Sequence, residues 1–281
     1  MSDKLDQFES AFRHTERHLY EGSDVEINSL LYVTDAQGKD GRQGMADAKA
    51  FLSPSRLGGK GNWSLMDGGG WTDIESVLRG VEEGNPDVVV VPRFLKEEFI
   101  HPTHSLGVVL DVLTQAQPRP VLALPQRGIA LPQLERVMVA TDHLADNEAL
   151  VDWGAAMAAP EGMLLLVHVE DDLVFKRYKE AISRIPDLDS AETPVLILEQ
   201  LLHEPRGFIK SAVASFARTR PGLTVQGVVE SGHDTAVFKE LAREKDVDLL
   251  VVSTKDDGQQ AMHGTAYALA IEMPQLPVML L

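Results

Sequence analysis

The stretch "VVSTKDDGQQAMHGTAYA", Val251–Ala268, has the outline of a strand, a turn and a helix start, with Gly264-Thr265 where that helix begins. Such junctions can hold phosphate: glycine lets backbone N–H groups come close, and a helix N-terminus carries partial positive charge. Ser253 at the strand end, Gly264 and Thr265 are therefore candidate anion ligands. Asp142 closes a second apolar run, "RVMVATD", and the carboxyl edge of a parallel sheet is where doubly wound folds bind ligands. Its carboxylate could equally cap the helix that follows in "TDHLADNEA". Asp35 ends "NSLLYVTD" with the same two readings.

Other chemistries find less support. With no cysteine among 281 residues, disulfides, thiolate nucleophiles and Cys-based metal sites are excluded. His14 and His18 are four apart on a predicted helix, and His101 and His104 three apart in a loop, but neither pair has a third ligand and both read as surface residues. His168 ends an apolar strand and reads as structural. No Gly-x-Ser-x-Gly elbow supplies a hydrolase nucleophile. "GGKG" lacks the spacing and following hydroxyl of a P-loop, and Gly68–Gly70 read as a turn with Thr72 capping the next helix. A net charge of −17 argues against nucleic-acid partners. The polar N-terminus and the lack of a long apolar run predict a cytoplasmic protein without a membrane partner.

These groups must be positioned by the elements around them. Eight short apolar runs, at 28–35, 86–93, 119–125, 136–142, 163–170, 223–230, 247–254 and 276–281, are Val/Leu-rich and mostly lack alternation. That is how strands buried on both faces of a parallel sheet read. Amphipathic segments such as "DTAVFKELAREKD" (234–246) lie between them, predicting an α/β doubly wound fold.

The pattern repeats. "DGGGWTDIESVLRGVEEGNPDVVVVP" lines up with "ESGHDTAVFKELAREKDVDLLVVS", and "HSLGVVLDVLTQAQPRPVLALP" with "MHGTAYALAIEMPQLPVMLL". Two related domains are expected, residues 1–126 and 132–281, with the seam in "PQRGIALPQLE" (125–135). The second carries an insertion at about 171–222, expected to cap one side of the sheet. The first has lost roughly one strand–helix unit. Matching "LLYVTD" to "VMVATD" keeps a central strand and sheds a peripheral one; matching it to "LLVHVED" does the reverse. The former is preferred, with Lys4–Tyr20 as an added covering helix.

Taken in order, "ERVMVATDHLADNEALVDWGAAMA", "LLLVHVED", "ESGHDTAVFKELAREKDVDLLVVSTKDD" and "HGTAYALAIEMPQLPVMLL" resemble the strands and helices of tandem universal stress proteins. The resemblance spans Leu134–Leu281 apart from the insertion, covers Trp71–Pro125 less fully, and is poor before Trp71. It implies two domains with adenine-nucleotide-hydrolase-like parallel sheets, paired through their last strands into a pseudo-dimer. It also implies a stress-response role, usually without a defined reaction.

Nucleotide-binding members carry Gly, two residues, Gly, nine residues, then Gly-Ser or Gly-Thr, with the first-strand Asp (here Asp142) on the adenine–ribose end. In this chain Ser253 and Asp256 stand at the two leading glycine positions, and only seven residues separate Asp256 from Gly264-Thr265. Asp256 and Asp257 would repel a triphosphate, Lys255 offsets only part of that, and Gly258 is out of register. In the first copy Pro92 and Leu95 replace the glycines, Leu106-Gly107-Val108 lacks the hydroxyl, and Arg93 and Lys96 read as solvated. The expectation is a non-catalytic protein without a bound cofactor, acting through protein or small-ligand binding. ATP or AMP held by the altered loop is the alternative. A third reading, an apolar pocket around Phe175, Tyr178, Ile182, Leu198, Leu202, Phe208 and Ile209, competes with ordinary helix packing, which is preferred. Pairing of the final strand with "RPVLALP" inside the chain is expected, with a homodimer left open.

Overall fold

The computed structural model describes residues 19–56, 61–97, 105–141, 144, 147–184, 193–254 and 264–281. The first half runs β1 (Ser29–Val33), α1 (Gly38–Leu52), β2 (Asn62–Met66), α2 (Ile74–Gly84), β3 (Val88–Pro92), α3 (Val108–Ala116) and β4 (Val121–Leu124). The second half opens with β5 (Arg136–Thr141), α4 (Glu148–Met157), β6 (Met163–Asp171), α5 (Asp172–Ile182) and α6 (Thr193–Thr219). It closes with β7 (Thr224–Gly232), α7 (Asp234–Glu244), β8 (Leu249–Val252), α8 (Gly264–Glu272) and β9 (Val278–Leu280). The predicted Lys4–Tyr20 helix and both histidine pairs, His14/His18 and His101/His104, lie outside the described residues, apart from Leu19 and Tyr20, which are not helical.

All nine described strands form one sheet in the order β2-β1-β3-β4-β9-β8-β5-β6-β7. Every pairing is parallel except one, β4 with β9, where Val121, Leu122 and Ala123 face Leu280, Met279 and Val278. The four strands at the centre of the sheet, β3, β4, β9 and β8, are buried at every position, as their unbroken apolar runs require. Helices cover both faces. Phe51 of α1, Leu150 of α4 and Phe208 of α6 share one core layer, while Val81 of α2, Leu113 of α3, Phe238 of α7 and Leu269 of α8 share the other. Among the described residues no helix is long and apolar enough to cross a membrane.

Strand β1 lies inside the sheet between β2 and β3, and "NWSLM" forms the edge strand β2. One contact recurs in both halves. The aspartate ahead of a buried strand accepts the backbone N–H groups that open another: Asp87 those of Asn28 and Ser29, Asp248 those of Glu135 and Arg136. Burial favours the neutral form of each carboxyl. For Asp87 the hydrogen bonds outweigh it and its pKa falls; for Asp248 burial wins and the pKa rises.

Side-chain contacts also bind the halves together beyond the β4–β9 ladder, those of Arg93 and Tyr20 among them. Arg93, just past β3, is not solvated as its sequence suggested: it is 1% exposed. Its guanidinium donates to the Ala270 carbonyl, in the last turn of α8, and to the Leu276 carbonyl at 3.2 Å. The last turn of α8 holds no basic residue of its own, so Arg93 brings a cation to that helix's negative end. Burial lowers its pKa to about 10, which leaves it charged at neutral pH. Tyr20, ahead of β1, crosses to the second half: its hydroxyl donates to the buried Asp152 carboxylate on α4 at 2.6 Å, and its ring packs on Phe208 and Phe216 of α6.

The crossover from β6 to β7 is built from α5 and α6, and α6 packs Phe208, Ile209, Ala212 and Phe216 into the core. Two residues of the suggested apolar pocket, Phe208 and Ile209, are thus committed to helix packing.

Replacing Arg93 with Ala removes both cross-half hydrogen bonds and leaves two carbonyls short of a donor. We expect a loss of about 2–4 kcal/mol in guanidinium denaturation. Tyr20→Phe deletes only the bond to Asp152 and is expected to cost about 1–2 kcal/mol in the same measurement.

Candidate functional site

In a parallel sheet, connecting helices start at the carboxyl edge, where their unpaired N–H groups create sites for negative charge. Ligands of doubly wound folds sit at that edge, where successive connections leave a strand in opposite directions. Two such points exist here, between β5 and β8 and between β1 and β3.

At the first, Thr141 ends β5 and Val252 ends β8, with Ser253 directly after it. The Thr254 N–H closes the strand end on the Leu281 carbonyl at 2.7 Å, and its hydroxyl donates to the same oxygen. Helix α8 begins at Gly264, and the Thr265 hydroxyl donates to Asp234 Oδ2 at 2.6 Å. Asp234, 7% exposed at the start of α7, also accepts the Thr235 N–H and hydroxyl. Burial alone would raise its pKa; the bonds from Thr265 and Thr235, with nearby His233, outweigh that and hold the carboxyl below the usual range. Among the described residues, nothing lies within 4 Å of a Cβ built on Gly264.

Of the predicted site residues, Ser253, Gly264 and Thr265 thus flank one loop. Asp142, and the loop residues Lys255, Asp256, Asp257 and Gly258, lie outside the described residues. The side-chain cap of α4 is Asn147, which accepts the Leu150 N–H.

The point between β1 and β3 is filled by the protein itself. Asp35 accepts the Lys96 N–H at 2.9 Å and pairs with Arg127 at 3.0 Å. The Lys96 ammonium donates to the Trp71 carbonyl at 3.0 Å and lies 3.6 Å from the centre of the Trp71 ring. Phe94 and Lys96 both adopt positive φ, +60° and +58°, a conformation side chains resist. Gly107 is required here: its φ is +99°, and a Cβ would come within 2.7 Å of the Phe94 nitrogen. Glu97 Oε1 accepts the Val108 N–H at 2.7 Å, placing a carboxylate at the positive end of α3.

The same solution recurs along this edge. Asp67 accepts the Gly38 N–H at the start of α1, and the Gly38 and Gly69 N–H bonds lower its pKa. Asp73 caps α2 through Ser76 in a reciprocal box, which corrects the expectation that Thr72 is the cap; the Thr72 hydroxyl donates to Asp73 instead. Sequence reasoning assigned no role to Glu97 or Asp234. Asp234 carries a local signal, an acid at a helix start, whereas Glu97 stands ten residues before Gly107 with nothing to link them.

Residues 133–265 match the model of the Universal stress protein family. No curated protein matches the chain by sequence. Among solved structures, the fold is similar to a functionally unknown protein from Pseudomonas aeruginosa PAO1, at 15% identity, covering 91% of this chain and 92% of that one with a TM-score of 0.52. It is also similar to a putative universal stress protein from Pseudomonas aeruginosa UCBPP-PA14, at 14% identity, 91% and 93% coverage and a TM-score of 0.52. A universal stress protein from Archaeoglobus fulgidus gives 14% identity, 90% and 95% coverage and again 0.52. At these identities the likeness concerns the fold.

Replacing Asp234 with Ala should free Thr265 and destabilise the chain by about 1–2 kcal/mol near neutral pH. Because the folded pKa is depressed, the contribution of Asp234 is full above its unfolded value of about 3.9 and lost as pH falls through the folded one. Acid titration of unfolding should therefore show a shallower decline below about pH 4 in Asp234→Ala than in the parent.

Proposed function

We propose that the chain is a tandem universal stress protein that has lost the nucleotide chemistry of its binding relatives and acts through protein or small-ligand binding. The observation that carries this reading is the Thr265–Asp234 hydrogen bond. The hydroxyl that would meet a phosphate is donated to a buried carboxylate, and that carboxylate would repel the anion. Glu97 stands in the corresponding place at the start of α3.

The tandem organisation, with domains at 1–126 and 132–281, draws support from the repeated aspartate contact of Asp87 and Asp248 and from relatives aligned over nine-tenths of the chain. In this reading β1 corresponds to β5, the first domain lacks a peripheral strand–helix unit, and β4 and β9 are the two final strands of a pseudo-dimer. No catalytic residue is assigned. A cytoplasmic location and the absence of a resident cofactor belong to the same proposal.

One observation favours the alternative, ATP or AMP bound at the altered loop: among the described residues, nothing lies within 4 Å of a Cβ built on Gly264 at the start of α8. Thermal unfolding with millimolar Mg-ATP separates the two. No change in Tm is expected in the parent chain. A saturable rise that Gly264→Val abolishes would establish the nucleotide reading instead; no described residue lies within 4 Å of where the Val Cβ would stand.

A further inference from the structure

Strand β7 ends the sheet, so one of its edges has no neighbouring strand among the described residues. It is the longer of the two outer strands, nine residues against five in β2. In a parallel ladder, alternate residues turn their main-chain groups to the same neighbour. The Thr224 N–H donates to the Gly162 carbonyl at 2.9 Å, which fixes the phase: Thr224, Gln226, Val228, Glu230 and Gly232 bond to β6. Val225, Gly227, Val229 and Ser231 therefore point their N–H and C=O groups outward. On β2 the Asn62 N–H bonds to the Asn28 carbonyl, and by the same alternation only Trp63 and Leu65 point outward. Gly227 is exposed although a Cβ on it would collide with Ile209 of α6, so the surface it presents is main chain. Sheets usually blunt such an edge with proline, lysine, a bulge or a very short strand. Thr224–Gly232 pairs one to one with β6 without a bulge, and carries no proline, no lysine and a single charge, Glu230.

We propose that this edge pairs with β7 of a second copy of the chain, antiparallel about a twofold axis at Val228, so that the two sheets become one. Val228 is the midpoint of the strand, and this register engages its whole length. It sets Val225 opposite Ser231 of the second copy, and Gly227 opposite Val229 of the second copy, so each outward N–H and C=O finds a partner. Glu230 then faces Gln226 of the second copy, an amide that can donate to the carboxylate, and no like charges stand opposed. The chain already joins two edges in this way, where β4 and β9 pair antiparallel. A β7–β7 contact is isologous and closes at two copies, whereas β7 against β2 of another copy would run on as a filament. Two chains of net charge −17 repel each other, and this strip, with one charge, is where that repulsion has least local support. The pairing is independent of whether a nucleotide binds.

Sedimentation equilibrium of the full chain, from micromolar to millimolar concentration, should show a monomer–dimer equilibrium. Gln226 is exposed, so its variants keep the fold. Gln226→Glu sets two pairs of carboxylates face to face and should weaken the dimer roughly fivefold or more, while Gln226→Lys should tighten it. Val229→Pro removes one outward N–H without touching the β6 ladder and should leave the chain monomeric. Circular dichroism reports folding; if Val229→Pro does not fold, the two Gln226 variants decide. Amide hydrogen exchange at Val225, Gly227, Val229 and Ser231 should slow as the concentration rises. A chain that stays monomeric at millimolar concentration overturns the proposal, even if an unrelated extended peptide binds to β7. So does a dimer indifferent to both Gln226 variants.

Discussion

A parallel sheet with crossing helices aims its helix N-termini at one edge, and each brings N–H groups that need an acceptor. In nucleotide-binding proteins a phosphate can meet that need. At four of the described helix starts the acceptor is one of the protein's own carboxylates, Asp67 at α1, Asp73 at α2, Glu97 at α3 and Asp234 at α7, and at α4 it is the Asn147 amide oxygen. Asp234 reaches further, taking the Thr265 hydroxyl at the start of α8. Phe94 and Lys96, in the segment that leads to the Glu97 contact, sit in conformations glycine usually takes.

The second organising feature is the single antiparallel pairing, β4 with β9. It turns the two sets of parallel strands so that the carboxyl edge of one half meets the amino edge of the other. Arg93 exploits this geometry. It leaves β3 at the carboxyl edge and finds the C-terminal end of α8 beside it, which needs positive charge. The start of α8 carries Gly264-Thr265, so the helix that frames the candidate loop is held at its far end by the other half of the chain. The bond from Tyr20 to Asp152 adds a second tie, satisfying a carboxylate that α4 buries.

Much of the fold was readable from the residues. Unbroken Val/Leu runs such as 88–91 gave buried strands, and "DTAVFKELAREKD" gave an amphipathic helix whose buried positions include Phe238, Leu241 and Ala242. The sequence also raised Gly264-Thr265 as a helix start, which it is. What it could not yield were contacts made across long separations. Arg93 looked like a solvated base at a strand end because its acceptor, Ala270, is 177 residues away. Glu97 carried no local mark of its role, since its bond to Val108 depends on how the segment after β3 folds back. Thr72 reads as the cap, but Asp73 beside it is equally able to accept, and only the backbone geometry places the cap at Asp73.

If the carboxylates have taken the place of a phosphate, the backbone N–H groups at those helix starts should be indifferent to added anions. The direct measurement is an amide NMR titration of the full chain with Mg-ATP and, separately, inorganic phosphate, following Val108, Thr235 and Thr265. The three signals should stay in place, apart from small unsaturable drifts. Saturable displacement of Thr265 or Val108 would contradict the account, because it would mean that a phosphate competes successfully with Asp234 or Glu97.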